Sequence, residues 1–167
     1  RSAILSTSPE QKEQKEEKTE LPRGHIIKAS DNCIGKKKTL YTGCGTLHCE
    51  AFFDPETGEL RETYLSKGSS GGCNNFMIGL SRMISLSARG GVDIHTIVDQ
   101  LKSSGTCPSY AVRTATKKDT SKGSSCPVAV GNALLEMYNE LNKIEIKKNT
   151  DVKNACPECG EELIFEG

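Results

Sequence analysis

Tyr41-Thr42-Gly43-Cys44-Gly45-Thr46-Leu47-His48-Cys49 is the segment from which the rest of the chain can be placed. A cysteine between two glycines interrupts what otherwise reads as a β-strand. Glycine weakens a strand interior and marks a bulge or a close approach of backbone to a neighbour. A thiolate between two residues without side chains can be ringed by backbone N–H groups, which favours a metal-bound sulfur. Three later cysteines also sit where the periodic pattern breaks: Cys73 after Gly71-Gly72, Cys107 before Pro108 and Cys126 before Pro127. Cys44, Cys73, Cys107 and Cys126 are therefore expected to converge on one site.

Outward from that stretch, residues 39–54 alternate well enough for a strand. Asp54-Pro55-Glu56-Thr57-Gly58-Glu59 is a turn with a mechanism, because Pro presets φ and Gly tolerates positive φ. Residues 60–66 return as the partner strand, making a hairpin. Upstream, His25-Ile26-Ile27-Lys28-Ala29 fits a short strand, followed by a linker over 31–38 that holds Cys33 as an ordinary thiol. The lysines at 36–38 read as a solvated loop rather than a phosphate contact. His48 reads as a solvent-facing strand residue rather than a ligand.

Gly68-Ser69-Ser70-Gly71-Gly72-Cys73 resembles a phosphate cradle but lacks the Gly-Lys-Ser/Thr ending of a P-loop. A metal-binding knuckle ahead of a helix suits its cysteine better, since a helix N-terminus favours the thiolate. Phe76, Leu80, Met83, Ile84 and Ser87 recur at helical spacing, the Met and Phe residues reading as core, up to a stop at Gly90-Gly91. Asp93 then caps a second helix on Ile94, Ile97, Val98 and Leu101, ended by Gly105. A polar loop over 113–122 leads to Cys126 and Pro127, which open a third helix. That helix, with Val130, Leu134, Met137, Leu141 and Ile144 on one face, is expected to run to about Ile146.

The architecture that follows is α+β: a small antiparallel hairpin or sheet packed by about three helices. A charged linker over 1–23 precedes a domain over 24–146, and 147–167 form a linker and a cysteine-bearing tail. The chain has 167 residues with 22 basic and 22 acidic side chains. Balanced charge gives no reason to expect a nucleic-acid partner or an anionic membrane. Mean hydropathy is low (-0.48), in keeping with one small core and solvated flanks. No apolar run approaches the roughly 20 residues of a bilayer span, and no signal peptide is visible. The first residue is Arg1 rather than Met, as expected of the end of a longer polypeptide.

Eight cysteines without a secretory signal point to a reducing, cytoplasmic setting, where clustered thiols bind metal or do redox work. A secreted disulfide framework is the alternative. Cys156-Pro157-Glu158-Cys159-Gly160 has the form of half a zinc ribbon without its second pair. The same two thiols on a tail also suit disulfide exchange. For Cys44, Cys73, Cys107 and Cys126, a four-thiolate zinc site would tie hairpin, helices and loop together, and an iron–sulfur cluster fits the same ligands. Four cysteines without metal are the plain alternative.

Thr42-Gly43-Cys44-Gly45, Gly71-Gly72-Cys73, Gly79-Leu80-Ser81-Arg82-Met83-Ile84-Ser85-Leu86, the run from Gln100-Leu101-Lys102 to Cys107-Pro108, and Ser124-Ser125-Cys126-Pro127 together resemble the TSCPD domain. That domain is found near the C-terminus of adenosylcobalamin-dependent (class II) ribonucleotide reductases. The resemblance spans about residues 24–142, and the Cys156/Cys159 tail is similar to the cysteine-rich ending of those enzymes. Two positions depart from the name-giving motif: Ser124 stands where Thr is usual and Val128 where Asp is usual.

The resemblance implies an accessory region of a B12-dependent ribonucleoside-diphosphate reductase, an oxidoreductase that supplies DNA precursors. Adenosylcobalamin, substrate and radical cysteine would belong to a catalytic barrel outside these residues, so the fragment alone is not expected to be active. Cys156 and Cys159 would be the positions that re-reduce the active site, with a thioredoxin- or glutaredoxin-like reductant and the barrel as partners. The competing reading is a free-standing zinc-stabilised module that binds protein or nucleic acid.

Overall fold

The described residues of the computed structural model are 24–67 and 73–153, with 144–153 described by backbone only. The linker expected at 1–23, the glycine loop at 68–72 and the tail thiols Cys156 and Cys159 lie outside them. Three antiparallel strands, β1 (Ile34–Thr42), β2 (Gly45–Phe53) and β3 (Leu60–Lys67), form one sheet in the order β1-β2-β3. Four helices follow: α1 (Cys73–Arg89), α2 (Ile94–Lys102), α3 (Pro108–Thr116) and α4 (Cys126–Lys153). The expected α+β architecture is thus present, with one helix more than the sequence pattern suggested.

The opening stretch is a turn, not a bulged strand. Thr42 pairs with Gly45, and the register runs without a break to Ile34 opposite Phe53. Gly43 and Cys44 form the loop, and Gly45 leaves it at φ +125°. The residues expected as a linker over 31–38 therefore contribute most of β1. Their alternation is hidden by lysines. Lys36 and Lys38 lie on the inner face with Leu40 and Thr42, and their ammonium groups reach Glu140 (3.3 and 3.0 Å) and Glu136 (2.7 Å, from Lys38) on α4. Long side chains can cover apolar surface while keeping their charge at the rim.

The second turn behaves as its residues dictate. The Asp54 carboxylate accepts from the N–H groups of Glu56 (2.9 Å) and Thr57 (3.0 Å), and Gly58 sits at φ +71°. No strand forms at 25–29; instead Ile27 donates its N–H to the Arg89 carbonyl at the end of α1.

Leu47, Cys49, Ala51 and Phe53 alternate inward from β2 and are fully buried. They meet Val130, Leu134 and Met137 of α4, and α2 packs on α4 through Ile97, Val98 and Leu101. Each fully buried aliphatic side chain contributes about 1.5–3 kcal/mol, so this layer holds the domain together. The Asp93 cap is as expected, its carboxylate accepting the His95 N–H at 2.9 Å. Helix α4 continues through 147–153, which were expected to be a linker. Ile144 is on that helix, but its side chain is not among those described.

Helix α1 is rotated from the expected orientation. Met77, Ser81, Ile84, Ser85 and Ala88 face inward. Phe76 is 79% exposed and Met83 59%, so these two are not core. The helix lies along the open edge of β3, where backbone N–H and C=O groups need partners. The Thr63 N–H donates to Ser85 Oγ (3.0 Å), the Leu65 N–H to Ser81 Oγ (3.3 Å) and the Lys67 N–H to Asn74 Oδ1 (3.1 Å). Polar side chains therefore face inward because the surface opposite them is a strand edge.

Candidate functional site

The β1–β2 turn is pressed against the start of α3. A Cβ on Gly43 would lie 2.4 Å from both the Ser109 carbonyl carbon and the Tyr110 nitrogen. No side chain fits there, so glycine is required by backbone approach. The contact sets Cys44 beside the helix that Cys107 opens.

Cys107 is the N-cap of α3, with extended backbone (φ -100°, ψ 127°), Pro108 behind it and no side-chain cap bond. Its N–H donates to the Ser124 carbonyl at 2.8 Å, which ties the start of α3 to the segment entering α4. That segment is also strapped to the hairpin. Ser121 donates its N–H to the Tyr41 carbonyl (2.9 Å) and accepts the Tyr41 N–H on its hydroxyl (2.9 Å). The buried Tyr110 hydroxyl donates to the Ser121 carbonyl. Cys126 then opens α4 as its first residue.

Three thiols from three separate elements are thereby gathered at one end of the domain. Burial pushes the half-buried Cys126 thiol up, and the neighbouring Cys107 and Cys44 push it further. Lys67 and a hydrogen bond with Thr42 act in the opposite direction. Thr42 is fully buried; its hydroxyl donates to the Gly45 carbonyl (2.7 Å) and accepts the Cys44 N–H (3.4 Å). One threonine thus holds the turn closed and touches the Cys126 thiol.

The fourth expected ligand, Cys73, is the exposed first residue of α1. It follows in sequence from β3, whose last residue, Lys67, bonds the neighbouring Asn74. Donor chemistry suits a soft divalent cation, and Lys67 would offset the negative charge of several thiolates. Separations do not: among the described residues no three His, Cys, Asp or Glu side chains are close enough together to hold a metal. As placed, the thiols are neighbours rather than a preformed ligand set.

Sequence reasoning missed Thr42, Lys67 and Ser125. Lys67 carries a signal, since it continues the inward alternation of Leu65. The hydroxyl of Ser125 is buried without a partner among the described residues, directly before Cys126. Cys49, by contrast, is a core residue whose thiol burial pushes up to about 12, and it belongs to no site. His48 is half-buried on β2, its Nδ1 3.5 Å from Thr39 Oγ1.

The glycine turn, the Cys-Pro helix start and the Ser-Cys-Pro helix start fall in one continuous match to a family model, the TSCPD domain, over residues 15–138. The chain belongs to the TSCPD domain family. This is a domain found in B12-dependent ribonucleotide reductases. No curated protein and no solved structure matches the chain. Val128, which follows Cys126-Pro127 at the start of α4, is buried. No helix among the described residues is long and apolar enough to cross a membrane.

Proposed function

We propose that this TSCPD domain is the C-terminal accessory region of a B12-dependent ribonucleoside-diphosphate reductase, and that its thiol end is a structural metal site. One observation carries the thiol proposal: the Gly43 approach gathers Cys44, Cys107 and Cys126 from three elements around Thr42 and Lys67. Cys73, the first residue of α1, would be the fourth ligand, and zinc is the ion that four thiolates would favour. The site locks hairpin, α3 and α4 in a domain whose small core gains from such a clamp.

Adenosylcobalamin chemistry and nucleotide binding belong to the barrel of the enzyme. Cys156 and Cys159 form the dithiol that returns electrons to the barrel's active site from a thioredoxin- or glutaredoxin-like donor in the cytoplasm. A vicinal Cys-x-x-Cys suits that exchange because two close thiols can resolve a mixed disulfide within one chain.

Elemental analysis with thiol titration, native and then denatured, tests the reading. One zinc per chain with four protected thiols beyond the core Cys49, and a reactive Cys156/Cys159 pair, is the expected result. A metal-free chain that titrates Cys44, Cys73, Cys107 and Cys126 in the native state would overturn the metal site.

A further inference from the structure

Between α1 and the edge of β3 runs an open groove of about 520 Å³, lined by Tyr64, Ile78, Arg82, Met83, Leu86 and Arg89 among others. Tyr64, Ile78, Met83 and Leu86 are all among the exposed large hydrophobic residues of the domain. Helix α1 has no acidic residue, and neither Arg82 nor Arg89 has a carboxylate within 4.0 Å among the described residues. One carboxylate, Glu62, stands at the rim, where it accepts from the Tyr64 hydroxyl at 3.2 Å. The α1 side of the groove thus presents the apolar Ile78, Met83 and Leu86 together with two arginines, facing Tyr64 of β3.

We propose that the chain's own C-terminal segment, Glu161-Glu162-Leu163-Ile164-Phe165-Glu166, docks in this groove. Leu163, Ile164 and Phe165 supply apolar contacts for Met83 and Leu86, and the glutamates pair with Arg82 and Arg89. Residues 154–167 contain four glutamates and no basic residue, the charge complement of the helical wall. The occupant is not an added strand, because Ser81, Ser85 and Asn74 already satisfy the edge of β3.

The chain is long enough to reach. Tyr138 of α4 lines one small cleft with Ala88 and Gly91, at the C-terminal end of α1. Beyond Tyr138, α4 runs on to Lys153, about 22 Å at 1.5 Å per residue. The nine residues 154–162 span up to about 30 Å when extended, enough to return along the helix. The inference rests on the groove and on the composition of the segment, and it stands apart from the metal and relay readings.

Hydrogen exchange on the full chain tests it. Amides of 161–166 are expected to exchange about tenfold more slowly than an unprotected peptide, as for a weakly stable local structure. That protection should be independent of protein concentration and should vanish in both Arg82→Glu/Arg89→Glu and Phe165→Ser. Unchanged protection of α2 and α4 amides shows that the variants are folded, and Phe165 lies outside the described domain. Unprotected rates in the parent chain would overturn the proposal. So would protection that rises with concentration, which would mean docking on a second copy, or protection that survives either variant.

Discussion

The Ser81 hydroxyl bridges two backbone groups of one strand: it donates to the Thr63 carbonyl at 2.5 Å and accepts the Leu65 N–H at 3.3 Å. Ser85, one turn later, does the same for Thr63 alone, accepting its N–H at 3.0 Å and donating to its carbonyl at 3.1 Å. A helix cannot normally pair with a strand edge, because its own backbone groups are used internally. Two serines at i and i+4 present hydroxyls on one face and substitute for a fourth strand. Ser81→Ala leaves the Leu65 N–H and one Thr63 lone pair buried without a partner. The expected loss is about 1–2 kcal/mol of unfolding free energy, read from urea midpoints, with Ser81→Ala/Ser85→Ala costing more. Unchanged midpoints would show that solvent, not α1, satisfies the edge.

This arrangement also explains why the inward face of α1 differs from the one its hydropathy suggests. Its sequence carries two overlapping stripes at helical spacing, Phe76-Leu80-Met83-Ile84-Ser87 and Met77-Ser81-Ile84-Ser85-Ala88, with the buried Ile84 common to both. Hydropathy favours the first, because the second contains two serines. Only the knowledge that the facing surface is an unpaired strand edge reverses the choice, and a tertiary neighbour is invisible to local periodicity. For α2 the whole face was legible, since its partner α4 is apolar and a single stripe exists. In β1, lysines whose charges end on Glu136 and Glu140 concealed a strand. At the thiol end Cys44, Cys107 and Cys126 stand in the sequence at a turn and two helix starts, but nothing local marks the interaction of Thr42 and Lys67 with Cys126, and the separations between thiols follow from packing alone.

Gly43 and Gly79 make opposite predictions. A Cβ at Gly43 meets the backbone of Ser109 and Tyr110 at 2.4 Å, so α3 must move in Gly43→Ala. The cost should be about 1–3 kcal/mol, typical of overpacking, with faster thiol reaction at Cys107 and Cys126. Gly79 is mid-helix with nothing within 4 Å of a Cβ. Gly79→Ala should stabilise by about 0.5–1 kcal/mol through helix propensity. Thermal melts of the two variants compared with the parent check both signs; equal effects would contradict the close approach at the turn.

Cys49 sets an alkaline limit on stability. Burial, with a smaller contribution from Glu50 and some relief from Lys38, pushes its thiol up to about 12. In the unfolded chain a thiol titrates near about 8.5. The folded state therefore keeps the proton where the unfolded state loses it. Stability from this group is full below the unfolded value and is lost as pH rises towards the folded one. Between about pH 8 and pH 11 the parent chain should lose about 2–3 kcal/mol more than Cys49→Val, which has no proton to give up. Parallel pH profiles for the two would show that Cys49 is reached by solvent.

Metal linkage separates the two sets of cysteines. A ligand that binds only the folded state stabilises it by about 2.7 kcal/mol at one hundred times its dissociation constant. Excess zinc should therefore raise the melting temperature of the parent chain, and a chelator should reverse the rise. Cys126→Ser, which removes the half-buried thiol beside Thr42 and Lys67, should abolish that response. Cys159→Ser should retain it in full if the tail dithiol serves the proposed electron relay rather than the fold. Reductive turnover of the complete reductase should show the converse pattern, with Cys159→Ser impaired under a thioredoxin-like donor and rescued by a small dithiol that reaches the barrel directly. An equal loss of zinc response in both variants would mean that the two sets of thiols serve one metal, and the division between structural site and relay would fall.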